Sequence, residues 1–173
     1  MKKLLGLFAA TSLSAISVSQ VVSCETKYES LTWLQEGQNK DFVKAAKLDE
    51  DGDGKLDRSY SEESSEGSWG ITVKGKVLGE PIQMIGGFDG DGVFVQREVS
   101  QFFKQTKDLT GTKTEFYLIT VYGSKGETSV DVYLVEVVLT NALFEIDEED
   151  GKEYLAGGEI DLKTLNQLKV SLV

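Results

Sequence analysis

The sequence predicts an α+β domain that is mainly β, a small antiparallel β-barrel or sandwich carrying one or two short helices. Three observations carry that expectation. Residues 114–122 and 129–142 are rich in β-branched and aromatic side chains, and the turn formers Gly-Ser-Lys-Gly-Glu-Thr separate them. Gly67, Gly70, Gly75, Gly79, Pro81, Gly86 and Gly87 interrupt residues 67–87 too often for long helices. Only residues 39–48 and about 97–107 space apolar side chains as a helix face does.

Taken in chain order, residues 25–36 read as a tether followed by an ordered start, anchored by Tyr28, Leu31, Trp33 and Leu34. Phe42, Val43, Ala46 and Leu48 form the apolar side of a short helix whose other side carries Lys40, Lys44 and Lys47. An acidic stretch occupies 49–57, and 59–68 is polar and low in complexity, as loops are. Ile71, Val73 and Val77 suggest one strand, residues 80–85 a second and residues 93–95 a short third. The expected helix over 97–107 would bury Val99, Phe102 and Phe103. The two apolar runs at 114–122 and 129–142 are nearly continuous, which predicts strands covered on both faces. Asp150-Gly151 marks a second hairpin, and the last strand includes 167–173.

The N-terminal residues predict an address. Lys2 and Lys3 precede an apolar run from Leu4 to about Val22, the layout of an export signal. Val21-Val22-Ser23-Cys24 resembles the lipobox of bacterial lipoproteins, of the mollicute type. The resemblance implies that Cys24 is acylated and becomes the first residue of the mature chain. The expected organisation is a signal over 1–23, a lipidated tether over 24–36 and one β-rich domain over 37–173. Cys24 would then place the protein on the extracytoplasmic face of the cell membrane, with the bilayer as a partner. A retained membrane helix and a plain signal cut near Ser23 are the rival readings. Cys24 is the one cysteine of the chain, and an unpaired exported thiol invites oxidation, which acylation prevents.

Composition bounds the chemistry. The net charge of −11 becomes −13 once Lys2 and Lys3 are removed with the signal. Such a domain repels nucleic acid and anionic head groups, so no nucleic-acid partner is expected. Histidine is absent. That excludes Ser-His-Asp and Cys-His nucleophiles and removes the usual zinc ligands. With Cys24 acylated, catalysis would fall to carboxylates, lysine or tyrosine. No pair of these is marked out, and the expectation is a non-enzyme.

The acidic loop points to a cation. With Asp49 at position 1, Asp51, Asp53 and Asp57 fall at positions 3, 5 and 9. Gly54 takes position 6, Lys55 the backbone-carbonyl position 7, and Leu56 position 8. Residues 49–60 resemble an EF-hand calcium loop, in which alternate carboxylates in a tight turn supply oxygens to a hard cation. The resemblance implies Ca2+ as a ligand of Asp49, Asp51, Asp53, Lys55 and Asp57. Position 12, a bidentate Glu in that motif, is Tyr60. A second possible metal loop at 87–98 offers Asp89, Asp91 and Glu98, with Gly92 at position 6 and no first ligand.

Residues 93–146 also show a faint resemblance to the haemolysin-coregulated tube protein of type VI secretion. It is carried by Val95–Val99, Thr110-Gly111, residues 114–122 and Tyr133-Leu134 through Leu139, Asn141 and Ala142. It implies a small barrel with one helix, in a family that stacks as rings. The function expected from these readings is a membrane-anchored exported lipoprotein. Its non-catalytic, calcium-binding domain would meet an unidentified protein or surface ligand. The alternatives are a tube-like assembly subunit and a carboxylate-dependent hydrolase.

Overall fold

Side-chain chemistry selects the strands. Val, Ile, Leu, Tyr and Phe dominate β4 (Glu115–Tyr122) and β5 (Ser129–Ile146), and β4 and the part of β5 up to Leu139 are covered on both faces. The computed structural model describes residues 28–61, 70–88, 98–149 and 151–173. Its remaining strands are β1 (Glu29–Ser30), β2 (Ile71–Gly75), β3 (Glu80–Ile85) and β6 (Glu153–Ser171). One helix, α1, spans Asn39–Ala45, and a 3-10 turn spans Ser100–Phe102.

The strands form one six-stranded sheet ordered β1-β6-β5-β4-β3, with β2 also on β6. β3, β4, β5 and β6 pair antiparallel. β1 and β2 lie end to end along the far edge of β6 and run parallel to it, β2 against Gly158–Leu162 and β1 against Asn166 and Gln167. The sequence predicted an antiparallel barrel or sandwich. The sheet is mixed and is not closed into a barrel. Two short parallel segments fill one edge of β6, so that edge does not wrap round to meet β3. The closed barrel implied by the tube-protein resemblance is corrected in the same way.

The sheet carries a core on each side, as the continuous apolar runs predicted. On one face Ile119, Val121, Val130, Val132 and Leu134 meet Leu31, Phe42, Val43, Ala46, Phe102 and Phe103. Trp33 stacks on Phe103 at 5.0 Å between ring centroids and meets Phe42 edge-on at 5.6 Å. On the other face Phe116, Leu118, Tyr133, Val135, Val137 and Leu139 are backed by Met84, Phe88, Phe144, Leu155, Ile160 and Leu162. The β5–β6 turn closes with Asp147 N–H donating to the Lys152 carbonyl and Gly151 N–H to the Asp147 carbonyl. The Asp-Gly signal predicted a hairpin there.

The expected helix over 97–107 is replaced, within its described part, by the 3-10 turn and further turns. Val99, Phe102 and Phe103 are buried as predicted, but tertiary partners claim the backbone. The Gln83 side-chain oxygen Oε1 accepts from the backbone amides of Val99 and Ser100 at 2.7 Å each. Phe103 is extended and bridges Trp33, while Leu34 N–H donates to the Phe102 carbonyl and Lys104 N–H to the Thr32 carbonyl. A continuing α-helix would leave those groups on β3 and residues 32–34 unpaired. The expected strand at 93–95 lies outside the described residues.

Candidate metal centre

α1 ends in a way that aims Asp49. Lys47 N–H donates to the Lys44 carbonyl and Leu48 N–H to the Val43 carbonyl, the two bonds of a Schellman turn. Lys47 takes the left-handed conformation such a turn demands, at φ 50°, where glycine is usual. The turn drops Leu48 into the core, fully buried, and Asp49 follows at the rim.

From there the acidic loop folds on its own side chains. Gly54 N–H donates to Asp49 Oδ2 at 3.0 Å, and Asp53 N–H donates to Asp51 Oδ1 at 3.0 Å. Glu50 N–H donates to Asp57 Oδ2 at 2.6 Å. Asp57 N–H reaches back to the Leu48 carbonyl at 3.1 Å, closing the loop's base. Gly54 sits at φ 76°, and a Cβ there would lie 2.9 Å from the Val173 side chain. The left-handed conformation at position 6 favours glycine, while the Val173 side chain, exposed at the chain's end, can move aside.

One carboxylate oxygen from each of Asp49, Asp51 and Asp57 lies within 4.8 Å of the others. Three acids at this separation can hold a metal ion. Asp49 Oδ1 is buried and has no hydrogen-bond partner. Asp53, expected in the same set, is not in the group. Its Oδ1 accepts from Lys55 N–H at 2.8 Å, and its Oδ2 faces the Lys55 ammonium at 3.4 Å. Lys55 thus meets Asp53 through its amide and side chain. Glu98 is exposed, and its carbonyl accepts from the Gln101 amide. Asp89, Asp91 and Cys24 lie outside the described residues.

The second half of the loop docks on the β4–β5 turn. Leu56, almost fully buried, donates its N–H to the Glu127 carbonyl and accepts from Gly126 N–H, both at 2.9 Å. Tyr60 pairs in the same way with Gly123, at 2.8 and 3.0 Å. Its ring is buried under the Arg58 guanidinium, 3.8 Å above the centroid. Arg58 also forks onto Glu80 of β3 at 2.7 and 2.5 Å, and that bond raises its pKa. The hairpin turn at 123–128 thus holds the second half of the loop through its backbone. Sequence reading assigned those residues to turn formation alone; the glycines at 123 and 126 were the available signal.

Comparison with known protein families, curated proteins and solved structures returns no match to this chain.

Proposed function

We propose that this chain is a lipid-anchored exported protein whose β-rich domain binds calcium through the acidic loop and acts in binding, without catalysis. The observation that carries the calcium reading is Asp49 Oδ1, buried without a donor beside two further carboxylates. An unpaired buried acceptor costs about 1–3 kcal/mol, more when charged, and a cation is the partner that relieves it. The donors are all hard carboxylate oxygens, which suits calcium. Gly54 N–H to Asp49 Oδ2 holds the first ligand while leaving its other oxygen for the ion. Tyr60 at position 12 removes the bidentate ligand, so the site is weak, on the order of the 10⁻⁴–10⁻³ M of extracellular modules. Calcium at that concentration is a property of the cell exterior, where the Cys24 reading puts the domain.

The non-catalytic reading rests on composition, since the chain has no histidine and no thiol besides Cys24. The membrane reading rests on the lipobox. Among the described residues no helix is long and apolar enough to cross a membrane. The test is the melting temperature of residues 25–173 with calcium and with chelator. Calcium should raise it, and Asp51→Ala should abolish the rise; identical curves for the parent protein overturn the metal reading. Separately, Cys24→Ala should move the protein from the membrane to the aqueous fraction of cells. Full retention on the membrane overturns the anchor.

A further inference from the structure

A cleft opens at the end of the sheet where β4 turns into β5. Tyr122, Asp131 and Lys169 stand opposite one another on β4, β5 and β6, so their side chains share one face. It is the face that carries the Phe116 core, and the next row inward on it is Thr120, Tyr133 and Gln167. With Glu127 and Ser129, the outer row lines an open cleft of about 450 Å3. Sites for small ligands span roughly 300–1,000 Å3.

The walls of the cleft are held from behind. Leu56 pairs through its backbone with Gly126 and Glu127, and Leu172 N–H donates to the Thr128 carbonyl at 2.9 Å. Ser124 N–H donates to Glu127 Oε2 at 3.0 Å, and the Gln167 amide donates to Asp131 Oδ1 at 3.2 Å. Each carboxylate is thus fixed through one oxygen, and the other oxygen is unengaged among the described residues. Lys169 makes no ion pair among the described residues, although Asp131 is its cross-strand neighbour. Tyr122 is 45 % exposed. An aromatic ring, two acceptors and a cationic donor therefore meet in one place without being spent on each other.

We propose that this cleft binds a neutral saccharide. The C–H hydrogens of a sugar ring are slightly positive and settle against the negative face of an aromatic ring, here that of Tyr122. Its hydroxyls both donate and accept. They match Asp131 and Glu127 as acceptors, Lys169 as donor and Ser129 as either. Charge selects this ligand over other small molecules. Glu127 and Asp131 oppose an anion, Lys169 opposes a cation, and an apolar ligand would leave the polar groups beneath it unpaired. The inference rests on the binding role proposed above and names a ligand class for it, and it stands whether or not the loop holds calcium.

The experiment titrates the isotope-labelled full-length chain with cellotriose, N-acetylated chitotriose, maltotriose and mannotriose in turn, and maps the shifted amides by NMR. At least one sugar should give saturable shifts clustered at 122–131 and 167–171. Tyr122→Ala should weaken that binding about tenfold and Tyr122→Phe should keep it, since the ring and not the hydroxyl does the stacking. Lys169→Met, at an exposed position whose change leaves the melting temperature in place, should weaken it as well. No saturable shift with any of the four sugars overturns the proposal. So do shifts that map elsewhere, or that survive both Tyr122→Ala and Lys169→Met. Stronger shifts of the same amides by inorganic phosphate or by spermidine overturn it in favour of an anion or an amine. Shortening of the bound sugar upholds the cleft and overturns only the non-catalytic reading. Failure of every sugar leaves the calcium-dependent melting shift untouched, so the two readings fall separately.

Discussion

The amide of Gly54 holds Oδ2 of Asp49 at 3.0 Å, and the carboxylate it fixes keeps Oδ1 buried and unpartnered. One residue thus orients the carboxylate, and the carboxylate keeps an acceptor that a cation could satisfy. The arrangement makes a distinctive mutant. In chelator, Asp49→Asn should melt at or above the parent protein, since it removes a buried charge. In calcium it should lack the parent's stabilisation. That stabilisation amounts to about 2.7 kcal/mol at free calcium a hundred times Kd. For a domain of this size it raises the melting temperature by roughly 5–10 °C. A mutant that melts well below the parent in chelator would show that the carboxylate has a structural role of its own.

Restoring the missing twelfth ligand should fail. Tyr60 is buried, its backbone pairs with Gly123 and its ring lies under Arg58. Tyr60→Glu would carry a carboxylate into that space and cost roughly 3 kcal/mol or more. Calorimetric titration should find no tighter calcium binding. A tighter site with unchanged stability would mean that the loop can leave the 123–128 turn and adopt full EF-hand geometry.

Lys47 offers the opposite sign. It holds φ 50° at the end of α1, a conformation that costs a side-chain-bearing residue about 1–2 kcal/mol. Part of that is returned in the unfolded chain, where glycine is freer. Lys47→Gly should therefore stabilise by roughly 0.5–1 kcal/mol in urea unfolding, with the slope unchanged. A loss of stability would place a contact of the lysine side chain above the backbone term.

Two tyrosines should ionise late. The hydrogen bond to Glu145 raises the pKa of Tyr154, and burial raises that of Tyr117, with the charges of Glu136 and Glu115 adding to it. A phenol whose folded pKa lies above its unfolded value keeps its proton longer when folded. Its contribution to stability is present below the ordinary value of 10.0 and is lost as pH rises through the raised one. In a phenolate absorbance titration, Tyr154→Phe should remove a component from the alkaline end of the curve. Removal of a component at the ordinary value would break the link to Glu145.

How much of this was legible varies by element. β4 and the buried part of β5 declare themselves, because nearly every residue from Phe116 to Val121 and from Val130 to Val137 prefers a pleated, covered surface. The full length of β5 and β6 was not legible: the sequence reading carried β5 only to Ala142 and marked β6 only over 167–173, and Asn141 and Gly157-Gly158 interrupt the strand pattern there. In the sheet they are absorbed by register shifts between Thr140 and Phe144, with Asn141 at φ 53°. Parallel pairing of β1 and β2 with β6 leaves no local trace, since two- and five-residue strands take their register from a distant partner. The acidic loop divides in the same way. Spacing alone brought Asp49, Asp51 and Asp57 together, but it could not reveal that Lys55 would take Asp53 aside.

β6 has one more consequence. β1, β2 and β5 all pair with it, and all precede it in the chain. Until the residues from Glu153 onward are available, the edge segments have nothing to lie against and half of the sheet has no template. Strands β3, β4 and β5 pair among themselves without it, so the last residues of the chain are what tie β1 and β2 to a meander already complete in sequence.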